Sequence, residues 1–183
     1  MVLPTKIEEA RRVYIESLTE TMAMYGLSPS MGRLYGTMFF HEDPMTLDEM
    51  MDLTGMSKTS MSTGVRALSS LKLVHKKWLK GVRKDLYEAE HDQVRSFVEF
   101  FCVMWDKEIE LNARAISRTE DDLRKLLDEA DITPEETTMI YNDLERLTKA
   151  KLYYAWLKEL VKTFESGKIF EHVPVPKQEQ VED

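Results

Sequence analysis

The segment from Thr46 to Ala89 constrains the fold most, because it carries start and stop signals for two short helices. Thr46 and Glu49 have the spacing of a capping box, in which each side chain binds a free amide at a helix start. Gly55 can adopt the left-handed conformation that ends this helix, and Ser57 is placed to cap the next one. Two helices joined by a short glycine-containing turn form a helix-turn-helix.

The second helix of this pair has an apolar face and a polar face. Its apolar residues recur at helical spacing and are predicted to face the core: Met61, Val65, Leu68 and Leu71. Short hydroxyl side chains and cations occupy the start and the outer face: Ser57, Lys58, Thr59, Ser62, Thr63 and Arg66. Such side chains suit a helix whose N-terminal half approaches base edges and phosphates in a major groove.

Two β-rich runs follow this helix. The first ends at Trp78, the second begins at Leu86, and a turn at Lys80-Gly81 separates them, so the runs are predicted to pair as a two-stranded hairpin. A helix-turn-helix followed by such a hairpin is a winged helix-turn-helix. The wing is predicted to approach phosphates or the minor groove through three cations: Lys80, Arg83 and Lys84. Taken alone, a basic glycine-centred loop is equally typical of an ordinary solvated turn.

The distribution of charge favours the DNA-binding interpretation. Between Leu53 and Lys84 the chain has eight basic residues and no acidic one. The whole chain has 25 basic and 33 acidic residues, so the remainder has 17 basic and 33 acidic residues. Cations concentrated in one element of an acidic protein are the pattern expected where a nucleic-acid duplex docks on a single face. We therefore predict double-stranded DNA as a partner.

Helices are predicted on both sides of this segment. An amphipathic helix covers about 7–25, and a second begins at Pro29, after the capping Ser28, and carries Gly32 and Gly36 on one face. After the wing, a long helical pattern covers about 91–127. Thr133 to Glu136 repeats the capping-box pattern and starts a last helix that continues to about Phe164. The fold class is therefore mainly α, with a two-stranded β-wing and long terminal helices.

These long helices exceed what a small winged domain can cover. A symmetric homodimer would bury their apolar stripes and present two recognition helices to half-sites about one DNA turn apart. The residues expected to lose water in that interface are Ile7, Tyr14, Leu18, Leu144 and Leu157. Four regions are predicted. Residues 1–41 form N-terminal helices that serve dimerisation and start the winged domain, and residues 42–90 form the winged core. Residues 91–170 form a C-terminal dimerisation and effector region, and residues 171–183 form a partly disordered tail.

Other classes of site find little support. Cys102 lies among large apolar residues and is predicted to be a buried small hydrophobe. The four histidines have no metal-ligand spacing. Neither a metal nor a cofactor is therefore expected. No nucleophile elbow, phosphate-binding glycine loop or zinc-protease motif is present, so an enzyme is not predicted. No stretch approaches the roughly 20 apolar residues that span a bilayer, and no secretory signal begins the chain, so a cytoplasmic protein without a membrane partner is expected.

Several stretches resemble one known family: ETMAMYGLSPSMGRLYGTMFF, PMTLDEMMDLTGMSKTSMSTGVRAL, GVRKDLYEAE, YYAWLKEL and FESGKIF. They closely resemble the glycine-betaine-synthesis repressor (GbsR) family, a branch of the MarR-type winged-helix regulators. The resemblance covers about Glu8 to Pro174, and its run MSKTSMSTG is far more specific than a generic helix-turn-helix. It implies a homodimeric repressor of genes for uptake or synthesis of compatible solutes, with choline or a related compound as effector.

A quaternary-ammonium effector would be recognised by aromatic faces, because its trimethylammonium head has no hydrogen-bond donor. The candidate rings are Tyr35, Phe101, Trp105, Tyr153, Tyr154 and Trp156. A ligand held between Trp105 and the last three would contact both the helix after the wing and the last helix. Plain core packing predicts the same aromatic spacing, so both interpretations stay open.

The sequence therefore predicts a sequence-specific DNA-binding repressor of compatible-solute genes, with a quaternary-ammonium effector. The alternative is a winged-helix subunit that contacts other proteins and has neither operator nor effector. Eight cations without one acidic residue across the second helix and the wing argue against this alternative.

Overall fold

The computed structural model describes residues 5–176, which form two compact units divided between Phe100 and Phe101. The first unit contains α1 (Lys6–Met24), α2 (Pro29–Phe39), β1 (Met45–Thr46), α3 (Leu47–Thr54), α4 (Lys58–Ser70), β2 (Val74–Lys77) and β3 (Leu86–Ala89). The long helix α5 (Gln93–Leu127) begins in the first unit and continues into the second, which also contains α6 (Pro134–Glu165) and α7 (Ile169–His172). The fold is mainly helical, as predicted.

The predicted helix signals around the turn are confirmed. The Thr46 hydroxyl accepts a hydrogen bond from the Glu49 backbone amide at 3.3 Å, and the Glu49 carboxylate accepts one from the Thr46 backbone amide at 2.7 Å. Gly55 ends α3 with φ 69°, and the Ser57 hydroxyl accepts the Ser60 amide at the start of α4. These local bonds fix the angle at which α4 leaves the turn.

The sheet has one strand more than predicted. In the described part of the chain, β1 pairs antiparallel with β3, which pairs antiparallel with β2, so the sheet has three strands in the order β1-β3-β2. The two residues of β1 are too few to show an alternating pattern in the sequence. The extra strand joins the start of α3 to the base of the wing.

Two glycines bring α1 and α2 into close contact, so α1 packs on the next helix in sequence. A Cβ built at Gly32 would lie 2.7 Å from the Thr19 Cα, and one built at Gly36 would lie 3.2 Å from the Ile15 Cα. Only glycine permits this approach of the two backbones. Both contacts lie on the one face of α2 where the sequence places these glycines.

The core of the first unit lies between α2, α3, α4 and the sheet. Its side chains with almost no exposure include Leu34, Tyr35, Met38, Met50, Met61, Leu68 and Val74. The four residues predicted to face the core are all buried, three of them in α4 and Leu71 at its C-cap. The Tyr35 hydroxyl donates to the Glu90 carbonyl at 2.9 Å and lies 3.2 Å from the Ser96 hydroxyl, which satisfies its polar end.

In the second unit α5 and α6 form an antiparallel hairpin. Cys102 contacts the Val161 carbonyl, whereas Glu120, farther along α5, pairs with Lys151, which lies earlier in α6. The two helices therefore run in opposite directions. Thr133 and Glu136 form the predicted capping box of α6. Cys102 is buried as predicted, and burial raises the pKa of its thiol to about 11, so the thiolate is scarce at neutral pH.

The structure corrects part of the predicted dimer surface. Leu144 and Leu157 are already buried inside the hairpin of a single chain, because their apolar stripe faces α5. Ile7 and Tyr14 remain exposed on α1, while Leu18 is half-buried. The homodimer itself stays a prediction.

No helix in the described range, 5–176, is long and apolar enough to cross a membrane. The predicted tail begins in α7, and residues 173–176 follow it without regular structure. The remainder of that tail, 177–183, lies outside the described residues.

Candidate nucleic-acid interface

Helix α4 presents its polar face to solvent. Met61, Val65 and Leu68 anchor the opposite face in the core. As a result, five of the six predicted contact residues in this region are exposed, and Ser62 is half-buried. The exposed residues are Ser57, Lys58, Thr59, Thr63 and Arg66. The first turn of α4 has no acidic residue, so the positive end of its helix dipole stays open to an anion.

A cleft of about 280 Å³ continues this face from α4 to the sheet. Its lining is mostly apolar surface, to which two cations and three hydroxyls add polar atoms: Leu47, Ser62, Val65, Arg66, Ser69, Lys76 and Tyr87. The Ser69 hydroxyl is buried there without a hydrogen-bond partner.

In the described part of the chain, the cations of this surface that form no ion pair lie on the wing and on α4. Among the described residues, neither Lys80 nor Arg83 forms an ion pair, whereas Lys76 binds Asp85 at 2.8 Å and Lys77 binds Glu88 at 2.6 Å. The local positive charge is therefore smaller than the sequence count indicates. It is concentrated at the outer end of the wing and on α4.

Lys84 forms an ion pair with Asp48, a contact that the sequence did not predict. Its ammonium group lies 2.7 Å from the Asp48 carboxylate of α3, and both side chains are exposed. The hydrogen bond from Lys84 lowers the pKa of Asp48, and the same bond raises the pKa of Lys84, so the pair is charged at neutral pH. A DNA contact by Lys84 requires the release of Asp48, and it stays a prediction.

One cluster of side chains that could bind a metal ion lies between the β2–β3 hairpin and the start of α5. In the described residues, His75, Glu90 and Glu99 place one nitrogen and two carboxylate oxygens within 4.8 Å of one another. The His75 Nε2 lies 3.1 Å from Glu90, and Arg95 binds Glu99 at 2.9 Å and Glu90 at 3.3 Å. Arg95 therefore binds both carboxylates and offsets one of their two negative charges, which makes the cluster an ion-pair network.

The candidate effector residues lie in three places. Tyr35 belongs to the core of the first unit. In the second unit the Trp105 ring packs on Phe101 and Phe164, with centroids 5.3 and 5.7 Å away. Tyr153 packs on Tyr154 and Trp156, at 5.0 and 6.0 Å. Within the described residues no ring contact joins Trp105 to the second group, so a shared cage stays a prediction.

The fold and this interface define a regulator of the winged helix-turn-helix class. Residues 93–171 match the family described as "GbsR family transcriptional regulator, C-terminal helical hairpin". The chain belongs to the GbsR family of transcriptional regulators, since it is 42% identical over 172 residues to the HTH-type transcriptional repressor GbsR of Bacillus subtilis (strain 168), covering 92% of this chain and 93% of that one.

A second relative agrees with this assignment, and a solved structure shares the fold. The HTH-type transcriptional repressor OpcR of the same organism is 36% identical over 172 residues, covering 94% of this chain and 93% of that one. A crystal structure of a transcriptional regulator superposes with a TM-score of 0.57 at 14% identity, covering 86% of this chain and 99% of that one, which shows the shared fold. These relatives are regulators, and the chain is not an enzyme, as predicted.

Proposed function

We propose that this chain is a homodimeric repressor that binds double-stranded operator DNA in a sequence-specific manner through α4 and the wing. The observation that carries the proposal is the exposed polar face of α4, which has no acidic residue, beside Lys80 and Arg83, which form no ion pair with any residue in 5–176. Hydroxyls and cations on α4 can read base edges, while the wing cations neutralise phosphates. The repressor activity named for both relatives supports the sign of the regulation.

The proposal of a homodimer is supported by apolar surface that each unit leaves exposed. Large apolar side chains remain exposed on α1, α5 and α6: Ile7, Val13, Tyr14, Met24, Leu111, Tyr141, Leu152 and Trp156. An identical second chain would cover such faces by a two-fold axis. The same symmetry would present two α4 helices to two half-sites of one operator.

The regulated genes and the effector rest on the family resemblance. We infer that the repressor controls uptake or synthesis of compatible solutes and that a quaternary-ammonium compound such as choline lowers its operator affinity. The second unit supplies aromatic faces for such a cation. Trp156 and Tyr153 are exposed there, so their rings are accessible to a ligand or to a second chain.

The first prediction separates base reading from phosphate binding, using a duplex that the wild-type protein selects from a random library. Replacing Thr63 or Arg66 with alanine should weaken binding to this duplex by about 1 to 3 kcal/mol while changing random-DNA binding much less. Replacing Arg83 should weaken binding to both duplexes about equally. It should also reduce the slope of log affinity against log salt by about 1, because one phosphate contact is lost. Fluorescence anisotropy across a salt series measures both quantities.

Lys158→Ala is the matched control, since it removes one exposed cation from the second unit. It should change neither quantity by more than a small amount. Equal losses on selected and random duplexes for Thr63, Arg66 and Arg83 alike would refute the assignment of α4 to base reading.

The second prediction concerns the effector. Trp105→Leu keeps an apolar side chain against Phe101 and Phe164 but removes the aromatic quadrupole that attracts a cation. If Trp105 forms part of the site, choline should lower the operator affinity of the wild-type protein but not of this variant. A neutral carbon isostere of choline should have no effect on either protein.

The same titration with Tyr154→Leu and Trp156→Leu tests the second ring group. An unchanged choline response in all three variants would place the effector elsewhere. The aromatic residues would then serve packing or dimerisation only.

A further inference from the structure

The outer end of the wing exposes a tryptophan almost completely. Trp78 follows β2 and has 89% of its surface in water, and its neighbours Leu79 and Val82 are also exposed. A turn closed by the bond from the Val82 amide to the Leu79 carbonyl, with Gly81 at φ 90°, holds this apolar group at the tip. Tryptophan is usually well buried, so an exposed ring at an ordered tip calls for a partner.

The surroundings of Trp78 indicate the chemistry of that partner. Lys80 and Arg83 lie in the same loop and form no ion pair within the described residues. No acidic residue occurs between Leu53 and Lys84. A surface that is both cationic and apolar fits a polyanion that also has apolar faces. The deoxyribose walls of a DNA minor groove, bordered by phosphates on both sides, have these properties.

We propose that Trp78 is a DNA-contacting residue whose ring packs against the sugar walls of the minor groove beside the half-site that α4 occupies. The proposal rests on the proposed function, because it adds an apolar contact to the same interface. The contact would contribute affinity without neutralising a phosphate. It would also favour duplexes whose minor groove has a suitable width, so that the wing reads DNA shape where α4 reads base edges.

Binding measurements distinguish this contact from those of the neighbouring cations. Trp78→Ala should bind the selected duplex about 10-fold more weakly, the scale expected when a large aromatic contact is lost. The slope of log affinity against log salt should stay at the wild-type value, whereas Arg83→Ala should reduce it. Trp78→Phe should recover most of the affinity, because phenylalanine keeps an aromatic face.

Fluorine NMR observes the ring directly. The chain has three tryptophans, so protein labelled with 5-fluorotryptophan gives three signals, and the signal missing from Trp78→Phe belongs to Trp78. The difference in chemical shift between H2O and D2O reports the exposure of each ring to water. That difference should be large for Trp78 in the free protein and should largely disappear when the selected duplex is added.

The outcomes separate this proposal from the proposed function. If the protein binds its duplex while Trp78 stays exposed and Trp78→Ala binds normally, the proposal is wrong and the repressor assignment stands. If Trp78 is shielded without DNA in a concentration-dependent manner, a second chain covers it and the proposal is wrong. If no duplex is bound at all, the proposed function fails together with the contact.

Discussion

A chain with lysine at both Leu152 and Trp156 should be monomeric and should bind its operator about 100-fold more weakly than the wild-type protein, or worse. These residues are 67% and 58% exposed and lie four positions apart on α6. At 100° per residue they lie about 180° and 140° round the helix from the buried Val161, so they are on the opposite side from it. We therefore assign them to the dimer surface, because the single chain leaves this face uncovered.

The large effect on DNA binding follows from the two half-sites. A dimer holds its second recognition helix close to the second half-site, which raises the effective concentration there far above that of a free monomer. Light scattering gives the mass of each protein, and anisotropy gives its affinity. The double variant Val173→Lys, Val175→Lys is the matched control, since it replaces two exposed apolar residues outside the long helices with the same charges. Wild-type mass and affinity in the Leu152, Trp156 variant would remove this face from the dimer.

Alanine at Gly32 should lower the free energy of unfolding by about 2 kcal/mol, the usual scale for forcing extra atoms into a packed contact. The new Cβ would meet the Thr19 Cα at 2.7 Å, and backbone atoms cannot turn aside as a side chain can. The sign of this change is informative. Elsewhere in a helix, replacing glycine with alanine stabilises by roughly 0.5 to 1 kcal/mol.

Two other helical glycines provide graded controls in denaturant titrations at one protein concentration. Gly36→Ala would place its Cβ 3.1 Å from a methyl group of Ile15 and 3.2 Å from the Ile15 Cα, so a smaller loss is expected. Gly64→Ala would contact the end of the Leu34 side chain at 3.2 Å, which can shift, so little change is expected. A stable Gly32→Ala protein would show that α1 and α2 do not approach as closely as described.

Local signals in the sequence predicted the helices well. The caps at Thr46, Ser57 and Thr133 depend on residues three positions away, so their geometry follows from short-range bonding alone. The buried face of α4 was equally predictable, because its apolar spacing repeats over the whole helix. The third strand was not predictable, since Met45 and Thr46 pair with residues about 40 positions later in the chain.

Partners distant in sequence account for the other differences. The apolar stripe of α6 shows that Leu144 and Leu157 are buried, but it does not reveal whether the same chain or a second copy covers them. The pairing of Lys84 with Asp48 joins residues 36 positions apart, so the charge count overestimated the free cations of the wing. The sequence did not predict the exposure of Trp78, because a tryptophan at the end of a β-rich run is equally compatible with a half-buried strand residue and with an exposed residue after the strand.

If α4 and the wing read DNA as a two-fold pair, selection of duplexes from a random library by the wild-type protein should enrich a palindromic site. Its half-sites should be centred about 10 base pairs apart. The same selection with Thr63→Ala should relax the preference at one symmetric pair of positions and leave the spacing unchanged. A library that shows no enrichment, or a wild-type preference that Thr63→Ala and Arg66→Ala leave entirely unaltered, would contradict the account.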